Sequence, residues 1–215
     1  IEYAGSSNSH QIRGGKDYQN IEISGSNVST SSGNFNIKAG GNFTINSGGQ
    51  FTVASTRAIE GLGTFAIEDN GTLLYGSTNG ITLQSEGTGT SAGNIRMVNR
   101  TFNENANYGF IGGVNQVSGN GLPANINNLI IDKTGGDVTL TNNLTVNGNI
   151  SLNSQNIDTD DKHLFLNNTD PASLIAGASN SDYTNSYIIG NFKRLLSDNP
   201  GYLFPVGTSI NLQLA

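Results

Sequence analysis

The sequence predicts an all-β fold: a right-handed parallel β-helix, or solenoid, of about 22 residues per coil, with a less regular β module at the C-terminal end. Three observations carry this reading. Short apolar-x-apolar triplets recur along the chain, mostly in steps of 7 or 8 residues. Three such steps return to an equivalent position, so Ile21, Phe43 and Phe65 stand one coil apart, as do Val28, Phe51 and Leu73. Helix formers are sparse, and 102 of the 215 residues are Asn, Gly, Ser or Thr.

Period-2 alternation marks a strand with one buried face. Gly, Asn, Asp and Ser between the triplets supply turns, because they tolerate positive φ or bond their own backbone. The first series runs Ile21-Glu22-Ile23, Val28, Phe35-Asn36-Ile37, Phe43-Thr44-Ile45, Phe51-Thr52-Val53, Ala58-Ile59, Phe65-Ala66-Ile67, Leu73-Leu74-Tyr75 and Ile81-Thr82-Leu83. A second series follows in steps of mostly 6 or 7: Leu129-Ile130-Ile131, Val138-Thr139-Leu140, Leu144-Thr145-Val146, Ile150-Ser151-Leu152, Ile157 and Leu164-Phe165-Leu166. A short fixed period is the mark of a repeat architecture, in which no coil buries its apolar face alone and the stack builds one core. Two alternatives compete. An antiparallel sandwich would have longer strands, with turns every ~8–12 residues. A register of 30 would align Phe35, Phe65 and Ile95, but leaves a long skipped segment. The right hand follows from the general rule for parallel crossovers. The one helix-like stretch is Ala172 to Ala178.

Residues 1–180 are expected to form the β-helix, as two related units of about 1–105 and 106–180. Tyr3 to Ile23 resembles Phe110 to Ile131, and Gly41 to Asn46 resembles Asn142 to Asn147. Residues 181–215 read as the start of a second β module or a cap. There Tyr187 to Arg194 and Tyr202 to Gly207 flank an Asp198-Asn199-Pro200-Gly201 turn. Asn20, Asn42 and Asn128 each precede a triplet and are expected at coil corners, in partial ladders. The start at Ile1, without an initiator Met, reads as a piece of a longer protein.

Composition narrows the function. The net charge of −6 disfavours nucleic acid and anionic lipid as partners, which need Lys/Arg patches. No stretch approaches the ~18 apolar residues of a transmembrane helix. Cysteine is absent, and with it disulfides, thiolate metal sites and a cysteine nucleophile.

Gln116 to Ile131, Val138 to Gly148, and the ending Phe204-Pro205-Val206-Gly207 after Tyr187 to Arg194 resemble recurrent segments of very large surface proteins from Bacteroidetes. The resemblance covers nearly the whole chain. It implies a secreted, adhesin-like β-helical stalk at the cell surface, exported by the type IX secretion system. It also implies partners among the other modules of a longer chain, a surface glycan or the secretion machinery. It carries no catalytic residue over to this sequence. The function expected is therefore structural and adhesive, not enzymatic. The alternatives are a carbohydrate-binding or carbohydrate-cleaving β-helix and a subunit or substrate of a self-assembling filament or type IX secretion complex.

Candidate sites are sparse. Asp158, Asp160 and Asp161 form the densest acidic cluster and could offer Ca2+ the oxygen ligands it prefers. Their spacing is not that of an EF-hand. No other cofactor is expected. His10 and His163 read as surface turn residues, since no nucleophile-elbow pattern supports a triad. Glu2, Glu22, Glu60, Glu68, Asp69, Glu86 and Glu104 are scattered, with no pair repeated at coil spacing. Thr88/Thr90 and Thr139/Thr141 are Thr-x-Thr pairs that do not recur in every coil, as an ice-binding face would require. Tyr3, Tyr108 and Tyr183 are candidates for outward rings that could stack on a sugar.

Overall fold

The computed structural model describes residues 1–5, 9–83, 93–176, 186–198, 201–208 and 212–214. The chain is all-β with about 2% helix, and its parallel sheets stack as a solenoid of about eight turns, roughly 22 residues each. Glu86, Thr88, Thr90, Tyr183, Asn199 and Pro200 lie outside the described residues.

The strands follow coil by coil. First come β1 (Glu2–Tyr3) and β2 (His10–Ile12), then β3 (Asp17–Ile23) and β4 (Val28–Thr30), then β5 (Phe35–Ile45) and β6 (Gln50–Val53). Next are β7 (Ile59–Gly61), β8 (Thr64–Ile67) and β9 (Thr72–Tyr75), followed by β10 (Asn99–Thr101) and β11 (Asn107–Phe110). The second half holds β12 (Gln116–Val117), β13 (Asn125–Ile126), β14 (Leu129–Asp132), β15 (Val138–Thr139), β16 (Leu144–Val146) and β17 (Ile150–Ser154). It ends with β18 (Ile157–Leu166), β19 (Leu174–Ala176), β20 (Ile188–Arg194), β21 (Pro205–Gly207) and β22 (Leu212–Leu214).

Three faces result. Long strands such as β5 serve two of them: Phe35–Ile37 pairs with β7, and Asn42–Ile45 pairs with β8. The expected columns form, with Ile21 opposite Phe43 and Phe43 opposite Phe65, and with Val28, Phe51 and Leu73 in line. The 30-residue register does not occur. The third face is one parallel sheet of eight strands, in the order β19-β17-β14-β11-β9-β6-β4-β2. It runs unbroken from His10 to Leu174. The other two faces change sheets part-way. Before the change β7 and β10 are the last strands of these faces, and after it β12 and β13 begin the next sheet.

Several expectations are corrected. Ile81-Thr82-Leu83 is not a strand; Ile81 is buried while Leu83 is 67% exposed. The described part of the helix-like stretch holds only a 3-10 turn at Pro171–Ser173, capped by Asp170, before β19 begins, and residues 177–178 lie outside the described residues. In the C-terminal part, 181–215, β20 pairs in parallel with β18 and β21 with β20. The strands flanking residues 198–201, β20 and β21, pair in parallel. Among the described residues only β22 is antiparallel to its neighbour. Within the two resembling units, Gly41–Asn46 and Asn142–Asn147 both lead into second-face strands. Ile21, by contrast, lies on the second face and Leu129 on the third.

The core is a continuous column of side chains pointing inward from the three faces. In the first half a cluster of phenylalanine rings is set among Ile, Val and Leu. Phe43 packs on Phe35, Phe51 and Phe65 at ring-centroid distances of 5.9, 4.9 and 5.7 Å, and Phe65 on Phe102 at 5.4 Å. From Ile126 to Leu166 it is Ile, Leu and Val. Burying each such side chain contributes ~1.5–3 kcal/mol. Coils approach closely at glycines: a Cβ at Gly41 would overlap the Gln19 carbonyl oxygen of the preceding coil.

Candidate functional site: a notch between two ladders

The step from one coil to the next is close to 22 residues through most of the chain, but Leu73 pairs with Tyr108, 35 residues on. The third face absorbs this longer coil without a break. On the first face, part of the excess, residues 77–83, wedges between the two sheets. Val117 N–H donates to the Thr78 carbonyl at 2.9 Å, Ile81 N–H to Ser118 at 3.1 Å, and Gly121 N–H to Ile81 at 2.8 Å. Leu83 N–H donates to Asn120 Oδ1 at 2.7 Å. Gly119 adopts φ +82°, and a Cβ there would overlap the Ile81 carbonyl oxygen, so this contact needs glycine. On the other side, buried Asn94 anchors the wedge. Its Oδ1 accepts Ser77 N–H at 2.8 Å, and its Nδ2 donates to the carbonyls of Ala54 and Arg57.

On the second face the column Ile21, Phe43, Phe65 ends at Arg100. Its guanidinium donates to the Ile95 and Thr82 carbonyls, each at 2.7 Å, and lies 5.6 Å from the Phe102 ring centroid. Partial burial lowers its pKa from the usual arginine value. Phe102, two residues on, supplies the ring that packs on Phe65.

The wedge leaves two hollows that share Thr82. One, of about 310 Å³, is lined by Asn79, Thr82, Val117, Gly119, Asn120 and Thr141. The other, of about 220 Å³, is lined by Thr82, Leu83, Val98, Arg100, Phe102 and Gly121. Amides, hydroxyls and apolar groups line both, with one guanidinium and no carboxylate among the described residues. The first suits polar hydrogen bonding; the second offers an apolar wall beside a cation.

The acidic cluster is dispersed by its own partners. Asp158 Oδ1 accepts Asp160 N–H at 2.8 Å, closing a turn in which Asp160 has φ +51°. Asp161 pairs with Lys162, whose ammonium holds that carboxyl below the usual range. Among the described residues no three His, Cys, Asp or Glu side chains converge as a metal-ligand set. Glu60 pairs with Arg96 at 2.9 Å, and Asp69 accepts from Asn103 at 2.7 Å. His163 is exposed, its N–H held by Asn143 Oδ1. His10 lies in β2, 6.1 Å from the Tyr3 ring. Tyr108 is not an outward ring: it is fully buried, its hydroxyl donates to the Asn103 carbonyl, and burial raises its pKa. Thr141 contributes to the notch, where its Oγ1 accepts Gly119 N–H.

The asparagine expectation takes a specific form. Asn20 Oδ1 accepts Asn42 N–H at 3.1 Å, and Asn128 Oδ1 accepts Asn149 N–H at 2.7 Å. A longer ladder was not visible in the triplets. Asp137 N–H donates to Asn115 Oδ1, Asn156 N–H to Asp137 Oδ1, and Tyr187 N–H to Asn156 Oδ1, each at 3.1 Å. The signal that could have found it is an Asn or Asp just before the first-face triplet of successive coils. Inside the same region, buried Lys133 donates to Gln116 Oε1 at 2.9 Å and to the Val114 carbonyl at 3.0 Å. Gln116 Nε2 in turn donates to the Tyr75 carbonyl.

No protein-family model, no curated protein and no solved structure matches this chain. No helix of the described residues is long and apolar enough to cross a membrane.

Proposed function

We propose that this chain is a rigid, non-catalytic segment of a large bacterial cell-surface protein, a stalk that extends or displays an adhesive region outside the cell. One observation carries the reading most strongly: the third face is a single eight-strand parallel ladder along the rod, even through the longest coil. Parallel strands stacked in this way resist bending, because each coil shares its hydrogen bonds and its core with both neighbours. The Asx ladder adds side-chain bonds in the same axial direction. The resemblance to large Bacteroidetes surface proteins supports the location and type IX export. Antibodies raised against the folded chain test the proposal: they should label intact cells of the source bacterium. Labelling that appears only after lysis would contradict it.

The second reading, carbohydrate binding, draws on the amide- and hydroxyl-lined hollow at Asn79, Thr82, Asn120 and Thr141. Screening the purified chain on neutral and acidic glycans tests it. Binding lost in Asn120→Ala supports it, and cleavage of any glycan would contradict the non-catalytic assignment.

A further inference from the structure

We propose that the outer edge of β10 is a docking site for an extended peptide strand that carries an acidic side chain between apolar ones. On the second face β5 and β8 have hydrogen-bonded strands in the coils on both sides, whereas among the described residues β10 pairs only with β8. Across the notch on the same face, β13 pairs among the described residues only with β16. Two strand edges therefore face each other part-way along the rod, while the third face closes normally behind them. An unpaired edge is a template for another strand.

The side chains at this edge fit a peptide. Elsewhere on this face, strands bury alternate residues: β8 and β16 each bury the apolar positions on either side of a half-buried one. In β10 the outward residues Asn99 and Thr101 are exposed, and Arg100, in register with buried Phe65, is only half-buried. Beside it Leu83 is 67% and Val98 49% exposed, large apolar side chains that a docked strand would cover. Arg100 supplies the charge preference. It stands where the preceding coils place Phe43 and Phe65, and no carboxylate pairs with it among the described residues. A guanidinium held beside an apolar wall favours a carboxylate, which it can engage through two N–H groups. With a net charge of −6, the attraction for an acidic group is local to this residue. A peptide is preferred to a glycan here because the edge offers N–H and C=O groups at strand spacing, which a second backbone matches.

The test is selection of a random heptapeptide phage library on the purified chain, followed by titration of the best synthetic peptide. The expected result is enrichment of one Asp or Glu flanked by Val, Ile or Leu. Amide exchange should slow at Asn99–Thr101 when the peptide is bound. Arg100→Gln should weaken binding at least ~10-fold, the loss of one charge-assisted contact. Because Arg100 also bonds two carbonyls, Val98→Asp serves as a second variant at an exposed position; it should repel the same peptide while the melting temperature stays unchanged. No enrichment would overturn the proposal. So would peptides that bind both variants as tightly as the parent chain, or slowed exchange elsewhere but not at β10.

Discussion

The coils before the notch and the coils after it fill one backbone shape with different side chains. Before it, four phenylalanines meet in the core, and side-chain bonds between coils come as separate contacts such as Asn20 to Asn42 and Asn46 to Ser24. After it, the core is aliphatic and the Asx side chains join into consecutive rungs from Asn115 to Tyr187. The difference shows that a coil can be locked to the next either from inside, by rings stacked along the axis, or from its corners, by amide side chains. The notch lies where one device gives way to the other, and there the inward column position is held by Arg100.

The largest effect should come from breaking the ring column. Phe43→Ala is expected to cost ~3–5 kcal/mol, because the site cannot collapse around three remaining rings. A double-mutant cycle between Phe43 and Phe65 should return a coupling of ~0.5–1.5 kcal/mol beyond area burial, as aromatic pairs give. The same cycle between Leu144 and Leu164, which are in register after the notch, should return less. Denaturant titration of the single and double variants measures both. Equal couplings would erase the distinction between the halves.

Removing one rung should cost less. Asn156→Ala leaves the Tyr187 N–H without its acceptor, an expected loss of ~1–3 kcal/mol. Amide exchange should accelerate first at Tyr187 and Ile188. If exchange rises evenly over the whole rod, the ladder is not a local lock.

Two pH effects of opposite sign come next. Burial lowers the Lys133 pKa, with Asp137 opposing in part. The unfolded chain then binds this proton more readily, so stability rises with pH up to the unfolded lysine value near ~10.5. Lys133→Met should remove that rise, leaving a flatter profile in urea titrations. Burial holds the Tyr75 hydroxyl well above its usual pKa, with Tyr108 adding to the shift. The unfolded tyrosine ionises near ~10, so stability present below that pH is lost as pH climbs past it. Tyr75→Phe should reduce this alkaline loss. At neutral pH it should be the smallest change of the series, about 1 kcal/mol or less and in the stabilising direction. The buried hydroxyl meets no hydrogen-bond partner among the described residues, so removing it relieves a cost.

The sequence was most readable where each coil repeated its neighbour's length. Phe35, Phe43, Phe51 and Phe65 declared inward positions because alternation and spacing agreed. The triplets ran out between Leu83 and Leu129, which is where the ladders change sheets. Ile81-Thr82-Leu83 has the pattern of a strand, yet its backbone bonds go to residues 118–121 as a wedge. Period-2 alternation reports which side chains are buried; it does not report which strand they pair with. Arg100 gave no signal as an inward residue, because its carbonyl partners, Ile95 and Thr82, are brought to it only by the long coil. The acidic residues at 158–161 looked like one cluster because they are adjacent in sequence. Turn closure by Asp158 and the neighbouring Lys162 separate their roles.

Native-state hydrogen exchange across the notch tests the central claim most directly, namely that this is one rod whose third face runs unbroken past an open second face. Tyr108, Gly109 and Phe110 in β11 should exchange as slowly as the third-face amides in β6 and β17. Arg100 and Thr101 in β10 should exchange far faster. Fast exchange in β11 matching that of β10 would mean two rods joined by a hinge, and would contradict the account.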